Sequence, residues 1–254
     1  SQTLKWIESG KNPSEQNVEI EGTEPYIVGG HTASGYWVDT NRRTTINGLY
    51  AAGDVAGGCP QKYVTGAMAE GEIAAEDIVK ELNRSDITEN AFSQSTADEY
   101  ADKLTDERIK EYNEYLRRED KDTIFSTEEL EEAMQKVMDT YAGGIGSQFN
   151  EKQLKLAKEK IEQIETLSEK ANAKDYHELM FVYELKERLT VCQVLIEHLK
   201  ARKETRWHSF AENLDYPEKS DEWLKYVNTR KVDGRIEVKY RNLVGRGETY
   251  EHSN

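Results

Sequence analysis

The stretch that decides the fold is residues 45–82, which read TINGLYAAGDVAGGCPQKYVTGAMAEGEIAAEDIVKEL. Asn47-Gly48 is a turn signal, and the apolar run 49–52 is typical of a short buried strand. Gly53-Asp54 ends this run, so the carboxylate is predicted at the carboxyl end of a strand, where open α/β sheets bind ligands. Helical periodicity begins near Gln61. The stretch therefore predicts a strand, a glycine-rich turn and a helix whose amino terminus faces whatever Asp54 holds.

The predicted helix and the segment before it supply further expectations. The helix carries apolar residues at helical spacing, which are expected to face a core: Ala67, Met68, Ala74, Ala75, Ile78 and Leu82. Residues 35–45 are predicted to form a hairpin with its apex at 39–41. Arg42 and Arg43 follow the apex. Such a pair is typical of a solvated turn, and anion binding is the alternative.

The rest of the chain is predicted to be mainly helical. From Asn83 the composition shifts to polar residues, and helical periodicity with short connections then predicts a bundle. Ser126 and Glu129 form a capping-box pattern, and Asp233-Gly234 between two alternating segments predicts a hairpin. The tail beyond Gly245 is expected to be disordered or bound to a partner. The predicted fold is an α/β portion followed by an α-helical bundle and a small carboxyl-terminal hairpin, α+β overall.

Composition restricts the possible functions. The 254 residues carry a formal net charge of −15, which argues against nucleic acid as a ligand because a phosphate backbone would be repelled. No apolar run approaches the 18 or so residues of a membrane span. Cys59 and Cys192 form neither a disulfide framework nor a Cys-x-x-Cys metal pattern. A cytoplasmic protein without a bound metal is therefore expected.

One motif resembles a known family. TxxGLYAAGD at residues 45–54, followed by the glycine-rich turn and helix, resembles the second flavin-binding motif of the fumarate reductase and succinate dehydrogenase flavoproteins. Within this family, the stretches 24–38, 61–75 and 204–223 are most similar to adenylylsulfate reductase alpha subunits. The resemblance covers most of the chain and corresponds to the carboxyl-terminal portion of the family. It implies a capping-domain tail at 1–25, the end of an FAD-binding domain at 26–92, a helical bundle at 93–203 and a carboxyl-terminal segment with a hairpin at 204–254.

The resemblance also implies FAD as the cofactor and gives roles to particular residues. His31 would be the active-site histidine that holds the sulfuryl group, whereas its sequence context alone is typical of a turn histidine. Asp54 would hydrogen-bond the ribityl chain of FAD. The first helical residues would bring unpaired N–H groups and the positive end of the helix dipole to the flavin. The cofactor-binding residues expected on this basis are Gly53, Asp54, Lys62, Tyr63, Val64 and Thr65, with a plain surface lysine as the alternative for Lys62.

The activity implied by the resemblance is reduction of adenylylsulfate to sulfite and AMP, or the reverse, through a flavin–sulfite adduct. Electrons would come from a separate iron–sulfur beta subunit, because the chain lacks an iron–sulfur cysteine pattern. No Gly-x-Gly-x-x-Gly is present, so the loop for the FAD pyrophosphate is expected upstream of Ser1. Two alternatives remain open. One is a fumarate- or succinate-type flavoprotein, although residues 60–62 lack that group's Asn-Arg, and the other is a non-catalytic helical interaction protein.

Overall fold

The computed structural model describes residues 34–58, 64–84, 94–118, 125–143, 147–206 and 211–252, together with Gly10, Asn12 and Glu15. Its helices are α1 Val64–Leu82, α2 Gln94–Arg117, α3 Thr127–Tyr141, α4 Glu151–Ser168 and α5 Tyr176–Ala201. Its strands are β1 Ser147–Phe149, β2 Ala211–Asn213, β3 Lys225–Val232 and β4 Arg235–Asn242, and 3-10 turns lie at Gly53–Val55 and Asp221–Trp223. This mixture of helices and two small sheets agrees with the α+β class overall.

Helices α3, α4 and α5 share the main hydrophobic core. The predicted capping box opens α3, since the backbone N–H of Glu129 donates to Ser126 Oγ and the Ser126 N–H donates to Glu129 Oε2. Asn150 and Asp175 cap α4 and α5 in the same side-chain manner. The buried residues of the core are Leu130, Met134, Ala142, Phe149, Leu154, Ala157, Ile161, Ile164, Leu185, Leu189 and Ile196. Packing of these apolar faces positions the bundle independently of the stretch at 45–82.

The predicted carboxyl-terminal hairpin is confirmed, and it packs on the end of α5. Strands β3 and β4 are antiparallel, with Val232 opposite Arg235. Asp233 and Gly234 both have positive φ, 49° and 76°, as a tight turn between twisted strands requires. His198 Nε2 on α5 lies 3.2 Å from Thr229 Oγ1 on β3. The hairpin is therefore fixed to the bundle through one of its faces.

The end of the described chain contacts residues 37–40, so the expectation that the tail is disordered is wrong for residues 250–252, whereas binding to a partner stays a prediction. The backbone N–H of Thr40 donates to the Tyr250 carbonyl at 2.9 Å, and the Tyr250 N–H donates to Thr40 Oγ1 at 3.2 Å. The rings of Tyr250 and His252 both contact Trp37. These contacts bring residues 250–252 beside residues 37–40.

Core packing of α5 predicts a contrast between two apolar residues on that helix. Leu185 is fully buried and Val191 is 65% exposed. Leu185→Ala is expected to lower the free energy of unfolding by about 2–5 kcal/mol, because it leaves a cavity among packed helices. Val191→Ala, the matched control, should change it by less than about 0.5 kcal/mol. Urea unfolding curves of both variants check this, and equal effects would show that α5 does not pack through Leu185.

Candidate functional site

The stretch around Tyr50 is extended but forms no sheet within the described residues. Arg43 and Tyr50 form an isolated antiparallel bridge, and Tyr36 and Ala56 form an isolated parallel one. The predicted turn at 39–42 exists, since the Arg42 N–H donates to the Asp39 carbonyl at 3.1 Å. The hairpin predicted over 35–45 is wrong beyond its apex: the Asp39 N–H donates to the Arg43 carbonyl at 3.0 Å, but Tyr36 pairs with Ala56 and Arg43 with Tyr50. Residues 49–52, for which the sequence predicts a buried strand, are extended and have one isolated bridge, between Tyr50 and Arg43.

Asp39 organises this turn from the inside. Its side chain is buried, and Oδ1 accepts hydrogen bonds from the backbone N–H groups of Asn41 and Arg43, both at 2.9 Å. Oδ2 accepts the N–H of His252 at 3.3 Å. Arg42 at the turn has φ of 69°, a left-handed conformation that a residue other than glycine rarely adopts. The carboxylate thus fixes the turn by accepting hydrogen bonds from three backbone N–H groups, two within the turn and one from His252.

Both arginines after the turn contact acidic residues of α1. Arg43 Nε and Nη2 donate to the two carboxylate oxygens of Asp77, at 2.5 and 2.8 Å, and Nη2 also donates to Glu81 Oε1 at 2.8 Å. Tyr50 Oη donates to Asp77 Oδ2 at 2.8 Å. The hydrogen bonds from Arg43 hold the pKa of Asp77 below its usual range despite the burial of that carboxyl group. The expectation of a solvated arginine pair is therefore wrong, and these charges are neutralised within the chain.

A second carboxylate of α1 contacts the glycine-rich turn. Glu70 Oε2 accepts the backbone N–H of Gly53 at 2.8 Å, and Glu70 Oε1 lies 3.2 Å from Nε of Arg42. Gly53 has φ of 72° and is buried, and a Cβ on it would lie 3.1 Å from the Cβ of Ala67. Glycine is required here both by the backbone conformation and by this close approach. The turn is therefore packed directly onto the first turns of α1.

The buried face of α1 differs from the predicted apolar stripe. Its buried residues are Glu70, Ala74 and Asp77, whereas Met68 and Leu82 are largely exposed. The stripe prediction holds for Ala74 and is wrong for Met68, Ala75, Ile78 and Leu82, because the helix packs on a segment that carries arginines and a backbone N–H group. Hydrophobic periodicity does not detect a face that is held by ion pairs. The spacing of the three acids at 70, 77 and 81 is the helical signal that could have revealed it.

The structure brings four of the expected cofactor-binding residues to one place. Asp54 lies in the 3-10 turn that follows Gly53, and Val64 and Thr65 begin the helix that Gly53 contacts. The side chains of Asp54, Val64 and Thr65 are exposed at this end of α1. His31, Lys62 and Tyr63 lie outside the described residues. The described part of the site is thus an exposed carboxylate beside a helix amino terminus whose first turn has no acidic residue.

The carboxyl-terminal hairpin approaches the same turn from another direction. A Cβ added to Gly58 would lie 3.2 Å from Oη of Tyr226 on β3. The guanidinium of Arg241 on β4 lies over the rings of Tyr226 and Trp37, 4.0 and 5.1 Å from their centroids. Burial among these rings lowers the pKa of Arg241. Sequence reasoning missed these contacts, because they join residues that are far apart in the sequence.

The described residues contain neither a membrane-spanning helix nor a cluster of metal-binding side chains. No helix among them combines the length and apolar character needed to cross a bilayer. In the same part of the chain, no group of three His, Cys, Asp or Glu side chains is placed to hold a metal ion.

The chain is similar in sequence and in fold to several known proteins. Residues 131–251, just under half of the chain, match the family model described as fumarate reductase flavoprotein C-term. An adenylylsulfate reductase alpha subunit from Megalodesulfovibrio gigas is 27% identical over 92% of this chain, and an uncharacterized FAD-dependent oxidoreductase from Methanocaldococcus jannaschii is 28% identical over 79%. The structure of adenylylsulfate reductase from Archaeoglobus fulgidus superposes with a TM-score of 0.69 at 30% identity over 96% of this chain.

These matches relate the chain to the fumarate reductase-type flavoproteins. Within that class, the chain resembles the alpha subunit of adenylylsulfate reductase, as the sequence predicts. The chain spans only part of each relative: 39% of the Megalodesulfovibrio subunit, 35% of the Methanocaldococcus protein and 42% of the Archaeoglobus chain. The similarity therefore concerns about two fifths of the length of these proteins.

The Arg43–Asp77 pair yields a pH-dependent prediction. Asp77→Asn is expected to lower the free energy of unfolding at pH 7 by about 1–3 kcal/mol, because a charge-assisted hydrogen-bond pair is lost. The pKa of Asp77 is lowered in the folded protein, so its stabilising contribution is present above about pH 4 and is lost as the pH falls through the folded pKa. The difference between variant and wild type should therefore shrink below about pH 4.

Chemical denaturation at several pH values checks this prediction. Glu76→Gln is the matched control, since Glu76 is the exposed neighbour of Asp77 on the same helix. It should leave stability nearly unchanged across the same range. A difference for Asp77→Asn that stays constant down to pH 2.5, roughly one unit or more below an ordinary carboxyl pKa, would contradict the assignment.

Proposed function

We propose that this chain is the carboxyl-terminal portion of an FAD-dependent oxidoreductase that reduces adenylylsulfate to sulfite and AMP, or catalyses the reverse reaction. The observation that carries the proposal is the Gly53-Asp54 turn packed against the amino end of α1, within a chain similar to adenylylsulfate reductases over nearly its whole length. The rest of the flavoprotein would supply the remainder of the cofactor site.

The described residues fit an FAD molecule. Asp54 is exposed at the turn, where its carboxylate can accept hydrogen bonds from the hydroxyl groups of a ribityl chain. Gly53 admits a close approach of backbone to α1, and the amino end of α1 offers N–H donors that favour negative charge. The neutralisation of Arg43 by α1 leaves that arginine without a role toward the ligand. These residues would therefore bind the cofactor through hydrogen bonds and the helix dipole.

The proposed reaction needs two electrons, which bound FAD would supply. They break the bond between sulfur and the oxygen that bridges it to AMP; that oxygen stays on AMP, and sulfite leaves. In this proposal His31 holds the sulfuryl oxygens, and Lys62 contacts either the cofactor or the anionic substrate. An iron–sulfur beta subunit as electron donor completes the proposal, because the chain itself carries no cysteine pattern for such a cluster.

The first test is an absorbance spectrum of the full-length protein between about 300 and 550 nm, before and after addition of sulfite. We expect a flavin band that sulfite bleaches, and His31→Ala should weaken the bleaching because a donor to sulfite oxygens is lost. A flavin band indifferent to sulfite would favour a reductase with another substrate. The absence of any flavin band would contradict the enzyme proposal.

The second test concerns Asp54 and the cofactor itself. Asp54→Ala in the full-length protein is expected to raise the FAD dissociation constant about tenfold or more, since hydrogen bonds to an ionised carboxylate are lost. Glu72→Gln, an exposed acid on α1, is the matched control and should bind FAD like wild type. Titration of apoprotein with FAD, followed by flavin fluorescence, measures both constants. Equal affinities for all three proteins would remove Asp54 from the proposed site.

A further inference from the structure

We propose that Glu70 is a positioning residue, which fixes the Gly53-Asp54 turn relative to the amino end of α1 and thereby prepares the cofactor site. This inference rests on the function proposed above and assigns a role to a residue that the flavin motif does not include. Glu70 acts through its contacts with Gly53 and Arg42. It has no direct contact with the ligand in this proposal.

The first observation is the burial and pairing of the Glu70 carboxylate. Its side chain is only 6% exposed, and both oxygens have partners: Oε2 accepts the Gly53 N–H at 2.8 Å, and Oε1 lies 3.2 Å from Arg42 Nε. A carboxylate removed from water is unfavourable unless such partners compensate it. A buried acid on the inner face of α1 is therefore retained for what it binds rather than for helix formation.

The second observation is the backbone conformation of the two residues that Glu70 joins. Arg42 and Gly53 both have left-handed φ values, 69° and 72°. Their segments are also linked directly, since the Ala51 N–H donates to the Arg42 carbonyl at 3.0 Å. The Glu70 side chain thus contacts both left-handed positions: Arg42 through its guanidinium and Gly53 through its backbone N–H group. Loss of the carboxylate would remove one contact from each position, while the Arg42 Nη1 bond to the Asp39 carbonyl and the Ala56 N–H bond to the Gly53 carbonyl remain.

The other acids on this face of α1 have a different task. Asp77 and Glu81 both pair with Arg43, and both lie closer than Glu70 to the carboxyl end of the helix. Only Glu70, among these three, accepts a hydrogen bond from the backbone of the turn itself. Six residues separate it from Val64, which is about 9 Å along a helix at 1.5 Å per residue. Glu70 therefore sets how the turn and the first helical residues lie relative to each other.

The experiment compares Glu70→Ala, Glu70→Gln and Glu76→Gln in the full-length flavoprotein. Each variant is assayed for its FAD dissociation constant, for the visible circular dichroism of the bound flavin and for its thermal midpoint. Glu70→Ala should weaken FAD binding about tenfold and change the dichroism, because the turn loses its acceptor. Glu70→Gln keeps an oxygen acceptor for the Gly53 N–H and should recover most of the affinity. Glu76→Gln should match wild type.

Three results would overturn the inference. A folded Glu70→Ala variant with wild-type FAD affinity and dichroism would show that the turn does not need Glu70. A Glu70→Ala variant with a lowered thermal midpoint and unchanged dichroism would also contradict the inference, because that result indicates a merely structural role. If Glu70→Ala does not fold, Glu70→Asp is tested instead, because its shorter side chain keeps the charge but moves the carboxylate away from the Gly53 N–H. Wild-type FAD affinity in Glu70→Asp would then contradict the inference. Wild-type protein that binds no FAD would instead overturn the proposed function, which is a distinguishable outcome.

Discussion

The bidentate ion pair between Arg43 and Asp77 is the interaction on which the candidate site depends. It joins the extended segment at 42–53 to α1, and Tyr50 and Glu81 complete the same cluster. Without a sheet among the described residues to hold this segment, its place is set by charged side chains. Buried pairs of this kind give orientation more than net stability, because desolvation offsets much of their attraction. The pair sets how the segment lies along the carboxyl-terminal half of α1, while Glu70 accepts the Gly53 N–H nearer the amino end of the helix.

The chain thus combines two kinds of packing. The bundle of α3, α4 and α5 is held by a continuous apolar core. Directly after the bundle, Glu204 fixes the chain by accepting hydrogen bonds from Arg202 and Arg206. Within the described part of the stretch 34–84, the buried apolar cluster is small and consists of Val38, Ala51 and Ala56. Apolar side chains of α1 such as Met68 and Leu82 remain exposed in the described structure. The stretch at 34–84 is therefore held mainly by polar contacts, whereas the bundle is held by its apolar core.

Sequence reasoning was accurate where a local signal determines the structure. The capping box at Ser126 and the Asp233-Gly234 turn are such signals, and both are confirmed. It failed for the buried face of α1, because apolar periodicity cannot distinguish an exposed stripe from a core when ion pairs hold the opposite face. It also missed Glu70, since a glutamate within a helix is ordinarily solvated. The roles of His31 and Lys62 stay predictions that came from family resemblance and not from local physics.

The contact between Thr40 and Tyr250 has a consequence for how the protein acquires its structure. The two residues are 210 positions apart, so this hydrogen bond closes almost the whole chain into a single loop. During synthesis on the ribosome, the bundle can assemble from local contacts as soon as its helices emerge. The turn at 37–42 must wait until the segment around residue 250 has been translated. The turn at 37–42 is therefore among the last described parts of this chain to reach its final arrangement.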